Sequence, residues 1–306
     1  MAVKNNTPAV RFLRYKLTSD AEAGTHSLHN FDLAKDLSMV NRRLYRQGRD
    51  YHVKKITILA STVPNGANGV KINAIPSSWV ARQGWNRGFN VWKAMQKEAT
   101  KNAQTNDVTA TWHDFKLYLD YTSSISAHAA PIDSADNPYV AGEWNASTFT
   151  TPDGTAASDS FYATMMGDHQ GAAPNRISVS LIKSYGESRR TVQPDDPNVQ
   201  PDFYDDPLVN VFDYGTAIDE VLADLVDEND NPPYDLNAYP GDNANGPAPN
   251  TVQNSAIVDG RCSISGFTAM CGLLQVELFA ALPAQVYEVL IELAPGKFRG
   301  IKAEAI

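Results

Sequence analysis

Residues 272–294 read GLLQVELFAALPAQVYEVLIELA, two runs of Val, Leu, Ile, Phe and Tyr meeting at Leu282-Pro283. β-Branched and aromatic residues at this density favour extended chain. Gln275 and Glu277 break the apolar stretch from Met270 to Ala284, which rules it out as a membrane-spanning helix. SISGFTAM (263–270) and GIKAEAI (300–306) flank it with further strands. Toward the amino end the same pattern returns in VRFLRYKL (10–17), YHVKKITILA (51–60), GVKINAI (69–75), WHDFKLYLDYT (112–122), FYATMMGDH (161–169) and RISVSLIKSYG (176–186). Turn chemistry separates the runs, as in VPNGANG (63–69).

Two helices interrupt the series. Asn30 is placed to cap one from about Phe31 to Arg46, with Leu33, Leu37, Val40 and Leu44 on one face. Ser77 or Ser78 caps a second from about Trp79 to Glu98, whose Trp79, Trp85, Phe89, Trp92 and Met95 read as a core face. The count is about eight to ten strands with two or three inserted helices, and the helices do not alternate with the strands. The expected fold is all-β: a jelly-roll β-sandwich with long loops, in one domain spanning 1–306. An acidic, loop-rich insertion is expected at about 191–260, with one short helix at Ala217–Val226.

The chain has 306 residues, 42% hydrophobic and 20% charged, which excludes wholesale disorder. Its mean hydropathy of −0.35 argues against membrane insertion. The first thirty residues lack an apolar core, so a secretory signal is not expected. Cys262 and Cys271 are expected to be buried, reduced and structural. His26 and His29 find no completing ligand, and DENDN (227–231) departs from a calcium loop at Pro232 and Ala238, so neither a metal nor a cofactor is expected. No nucleophile motif or phosphate loop is present, and an enzyme is not expected.

Charge is polarised. Residues 1–120 carry 18 Lys and Arg against 9 Asp and Glu, a balance of +9; residues 121–306 carry 8 against 26, a balance of −18. Between Arg190 and Arg261 stand 15 acids and no Lys or Arg. A polyanion would meet the first part. There Arg11, Arg14 and Lys16 interleave with Phe12 and Tyr15, and Arg42, Arg46 and Arg49 fall four and three residues apart, one stripe of the first helix if it ran that far. Cations neutralise phosphates and aromatic rings stack bases, so these six residues form the expected nucleic-acid contact.

DLSMVNRRLYRQGRDYHVKKITI (36–58), LIKSYGESRRTVQPDDPN (181–198), DENDNPPYDLNAYPG (227–241), TAMCGLLQVEL (268–278) and IELAPGKFRGIKAEAI (291–306) carry a resemblance spread over most of the chain. Together they resemble capsid proteins of small circular single-stranded DNA viruses that encode a replication initiator, the circovirus-like group of environmental surveys. The resemblance implies a homo-oligomer: an icosahedral T=1 shell of about 60 copies around a single-stranded DNA genome, located in the virion and made in the host cytoplasm or nucleus. The arginine-rich amino-terminal arm of circoviruses is not seen, so the folded basic third would have to meet the genome. Two rival expectations are a β-sandwich that binds carbohydrate or a receptor, and a sandwich hydrolase using two carboxylates.

Overall fold

The computed structural model describes residues 8–20, 22–60, 68–102, 114–152, 158–171, 176–189 and 250–306. Two antiparallel sheets lie face to face. The first runs β1 (Phe12–Thr18), β12 (Val286–Leu293) and β3 (Arg49–Ala60), with β9 (Arg261–Ile264), β10 (Phe267–Ala269) and the carboxy-terminal strand Ala303–Ala305 also pairing to β3. The second runs β2 (His26–Asp32), β11 (Leu273–Phe279), β4 (Gly69–Ala74) and β8 (Asn250–Ala256). Along β12, Tyr287, Val289, Ile291 and Leu293 are buried while Glu288, Leu290 and Glu292 alternate outward. That period of two makes one face of the sheet apolar. It meets Phe31, Val70, Ile72, Leu274, Val276 and Leu278 of the other sheet in one core. The chain is thus mostly β, an antiparallel sandwich, as its composition of strands led us to expect.

The pairing is nested. β1 pairs β12, β2 pairs β11, β3 pairs β9 and β4 pairs β8, so the outermost strands in sequence join, then the next inward. Successive strands β1 to β4 alternate between the sheets. Everything from 75 to 249 falls between β4 and β8. That interval holds α2 (Trp79–Asn102), α3 (Tyr121–Ile125), β5 (Thr148–Pro152), β6 (Ser158–Thr164), β7 (Ser178–Ser180) and α4 (Leu181–Arg189).

A chain of side-chain hydrogen bonds pins the register of the second sheet. Gln275 Nε2 donates to Asn30 Oδ1 (3.1 Å), Asn73 Nδ2 to Gln275 Oε1 (3.3 Å) and Thr251 Oγ1 to Asn73 Oδ1 (3.1 Å). The four residues stand directly opposite one another across four strands. Asn30, Gln275 and Asn73 are buried, so a slipped strand would leave amides without partners.

The first helix is shorter than its periodicity suggests. Residues 26–32 pair with β11 instead, and α1 spans Leu33–Asn41. Its cap is Asp32, not Asn30: the Asp32 carboxylate accepts from Lys35 N (3.0 Å). Arg42, in the left-handed conformation at φ 53°, ends it. The expected stripe of Arg42, Arg46 and Arg49 therefore does not exist, because Arg46 lies in the irregular chain between α1 and β3 and Arg49 begins β3.

α2 forms where read, and Ser78 Oγ accepts from Ala81 N (3.2 Å) at its start. Val80, Ala81, Trp85 and Trp92 join Phe115, Leu117, Phe149, Leu181 and Ile182 in a second core, which meets the sandwich at Met270, Cys271 and Leu273. Trp79 instead remains 41% exposed, its ring edge-on to Tyr185. Two expected strands are corrected. WHDFKLYLDYT supplies the buried Phe115, Leu117 and Leu119, but among its described residues only Tyr118 makes a bridge, and α3 follows. RISVSLIKSYG pairs only through β7 and becomes α4, because its Leu181 packs onto Gly84 and Gly88 of α2. Residues 250–256, expected as acidic loop, form β8 against β4. The helix at Ala217–Val226, the DENDN run and the acidic stretch to residue 249 lie outside the described residues.

Cys262 and Cys271 are both free and buried. Burial pushes the Cys271 thiol well up from its ordinary range, with Asp50 and Asp32 adding to the effect. Because the thiolate is the reactive form, iodoacetamide should leave Cys271 unmodified in the native protein and label it in denaturant. Prompt native labelling of Cys271, read by mass spectrometry, would contradict this.

Asp36 is also buried, and Tyr15 OH donates to its Oδ2 (2.6 Å). Burial raises the Asp36 carboxyl well above its ordinary value, outweighing the opposing pull of the Tyr15 bond. The folded state then holds this proton where the unfolded chain has lost it. Stability from Asp36 is full below the ordinary carboxylate range and is lost as pH rises toward the raised value, about 1.4 kcal/mol per pH unit across that window. Asp36→Asn should remove this loss, making the variant more stable relative to the parent at pH 7 than at pH 4. Denaturation midpoints at the two pH values measure it, and an unchanged difference would refute it.

Candidate nucleic-acid interface

The six expected cations occupy three places. Arg14 and Lys16 point out of the first sheet, where Asp136 and Glu288 hold Arg14 at 2.8 and 3.2 Å and Lys16 lies 4.0 Å from Asp136. Arg11 and Arg49 turn toward the carboxy-terminal strands. Arg11 donates to Leu293 O (3.5 Å), and the Arg49 guanidinium sits 3.8 Å from the centre of the Phe298 ring while donating to Ala303 O (3.3 Å). Arg42 lines a cavity, and Arg46 approaches Asp114, another of its lining residues, at 3.9 Å. Two carboxylates partly neutralise Arg14, and a ring and a carbonyl occupy Arg49, so neither is well placed to grip phosphate.

The cavity, about 730 Å³, opens between the end of α1, residues 42–44, Trp92 and Gln96 of α2, and residues 140–148. Lys35, Arg42, Arg43 and Lys116 line it, with Asp114 and Glu143 as the facing acids. None of these four cations forms an ion pair with a carboxylate among the described residues. By contrast Lys54, Lys71 and Arg82 pair with Glu292, Glu277 and Asp50. Arg46 Nε lies 3.9 Å from Asp114 Oδ2, which takes up part of that acid's charge.

A hub holds the walls in place. Asp32, buried at the start of α1, accepts from Gln47 Nε2 (2.8 Å) and Trp144 Nε1 (2.8 Å) through one oxygen and caps the helix through the other. Gln47 in turn accepts from Leu117 N (2.7 Å), which sets the strand-like segment carrying Lys116. Lys116 Nζ lies 5.0 Å from the centre of the Trp144 ring, in cation–π range. One carboxylate thus ties together the helix with Lys35, the 140–148 segment with Trp144 and the segment with Lys116.

A smaller cavity of about 140 Å³ shares Lys35, Lys116 and Trp144 and reaches His128. Burial lowers the His128 value against the pull of Asp32, so its imidazole is neutral near pH 7. Nε2 then carries the proton and donates to Ser123 O (3.2 Å).

Of the expected contacts, the structure brings Arg42 to this cavity, sets Arg46 against its lining residue Asp114, and leaves Arg11, Arg14, Lys16 and Arg49 elsewhere. It adds Lys35, Arg43, Lys116 and Trp144. Lys35 shares the seven-residue spacing with Arg42 and Arg43 adjoins it, so both were within reach of the sequence pattern. Lys116 and Trp144 arrive through contacts that no local pattern encodes. Among the described residues no group of His, Cys, Asp and Glu is arranged to hold a metal ion, and no helix is long and apolar enough to cross a membrane. No protein family, curated protein or solved structure matches the chain.

Proposed function

We propose that the chain is a capsid subunit of a small single-stranded DNA virus, a jelly roll that closes into an icosahedral shell of about 60 copies. The nested pairing carries the reading. Eight strands that join first to last, second to seventh, third to sixth and fourth to fifth, and lie in two facing sheets, are what a jelly roll requires, and so support that architecture, one used by viral shells. The unpaired cations around the cavity give a polyanion a place to bind without reading its sequence. In this reading that cavity faces the genome.

The same winding also occurs in lectin-type sandwiches, and a cavity with an indole wall suits a sugar. Negative-stain microscopy of the purified protein separates the two. Closed particles of uniform size, carrying nucleic acid that leaves as salt is raised, are the expected result. A stable monomer or small oligomer across salt and pH would overturn the capsid reading.

A further inference from the structure

We infer that the cavity between α1, α2 and residues 140–148 is a nucleotide pocket: Arg42, Arg43 and Lys35 take the phosphate and Trp144 takes the base. This deepens the capsid reading and relies on it only for the source of the nucleotide.

Three observations carry the inference. First, the cations that line the cavity lack carboxylate partners among the described residues, so a bound anion would supply what their neighbours do not. Arg42 and Arg43 are exposed, adjacent and free to present planar donors, which suits phosphate oxygens. Second, about 730 Å³ lies within the range of small-molecule sites and leaves most of the space for something larger than an inorganic anion. Third, the indole is fixed in advance. The bond from Trp144 Nε1 to buried Asp32 locks the ring, so little rotamer freedom remains to be lost when a flat ligand lies against it. Trp92 and Met39 extend the apolar part of the wall.

The acids narrow the ligand. Glu143, exposed at the cavity, and Asp114, its charge partly offset by Arg46, would repel a ligand dense in charge, while Glu143 can accept from the exocyclic amine of a base or from a sugar hydroxyl. One phosphate, one sugar and one base fit this mixture of donors, acceptors and aromatic surface better than a sulfate-rich polymer does.

Equilibrium binding of the full chain to dAMP, deoxyadenosine and inorganic phosphate tests the pocket. dAMP should bind at least about tenfold more tightly than either fragment, because phosphate contact and stacking both contribute. Arg42→Gln with Arg43→Gln, exposed and free of ion pairs, should fold normally and weaken dAMP at least about tenfold while leaving deoxyadenosine unchanged. Trp144→Leu should erase the advantage of dAMP over phosphate. Equal binding of phosphate and dAMP, or unchanged dAMP binding in the double arginine variant, would overturn the inference. A short single-stranded oligonucleotide separates the sources of the nucleotide. Displacement of dAMP by it supports a strand as ligand. If dAMP binds but the oligonucleotide does not displace it, the pocket stands and the genome-facing role assigned to it fails.

Discussion

Asp32→Ala should destabilise the protein by about 3–5 kcal/mol. Loss of a helix cap costs about 1 kcal/mol. The buried Gln47 amide and the Trp144 indole N–H then lose their acceptor, at about 1–3 kcal/mol for each donor left dry. Trp144 is half-buried, and water there recovers part of its share. Because the same carboxylate joins α1, the Trp144 segment and, through Gln47, the Lys116 segment, the effect reaches the cavity as well as the fold. The denaturation midpoint should fall with little change in slope, and Trp144 fluorescence should shift toward that of a wetter indole. Asp32→Asn keeps one acceptor oxygen and should fall between the parent and the alanine variant. If the alanine variant unfolds at the parent midpoint, the hub does not carry the load assigned to it.

Gly84→Val should be comparably damaging, at about 3 kcal/mol or more, through a different route. A Cβ at Gly84 would stand 3.0 Å from Leu181 O and 3.2 Å from its carbonyl carbon, which are backbone atoms with no rotamer to yield. Valine adds two methyl groups to that contact, and overpacking of this kind costs about 1–3 kcal/mol even where side chains can move. α2 and α4 would have to separate, opening the second core around Trp85 and Ile182. Gly142→Ala is the control. Nothing lies within 4 Å of its added Cβ, and its midpoint should stay within about 0.5 kcal/mol of the parent. A tolerated Gly84→Val would mean that the helices are not packed through this glycine.

The sandwich was legible because its strands carry their own signal. Tyr287, Val289 and Ile291 alternate with Glu288 and Glu292, and β3 alternates in two runs, Tyr51 and Val53, then Ile56 and Ile58, with the phase shifting at the irregular register between them. β2 was hidden because HSLHNFD is polar; it is a strand by virtue of its opposite register with β11, which lies some 245 residues away at Asn30 and Gln275. α4 was misread as strand because it follows Ile177 and Val179 without a break: the β propensity of that run is realised in β7, and from Leu181 on the chain packs as a helix against the glycine-lined face of α2. The cavity was half legible. Charge arithmetic located its region, but the stripe drawn through Arg42, Arg46 and Arg49 assumed a helix that Arg42 itself terminates. Lys116 and Trp144 could not be found, since Asp32 and Gln47 recruit them across the fold.

The nesting of the strands also sets an order of events during synthesis. β1 cannot pair until β12 has left the ribosome, and their register, Thr18 opposite Val286, puts about 270 residues between them. At about 5–20 residues per second, the amino-terminal strand waits on the order of tens of seconds with its edge open. β4 and β8 are the innermost pair, so hydrogen-bonded closure proceeds outward from them, and the strand that is made first is the last to be sealed. A nascent chain therefore exposes Leu13, Tyr15 and Leu17 for nearly the whole of its elongation, and a holdase chaperone that binds such apolar strands would find its longest-lived target at the start of this sequence.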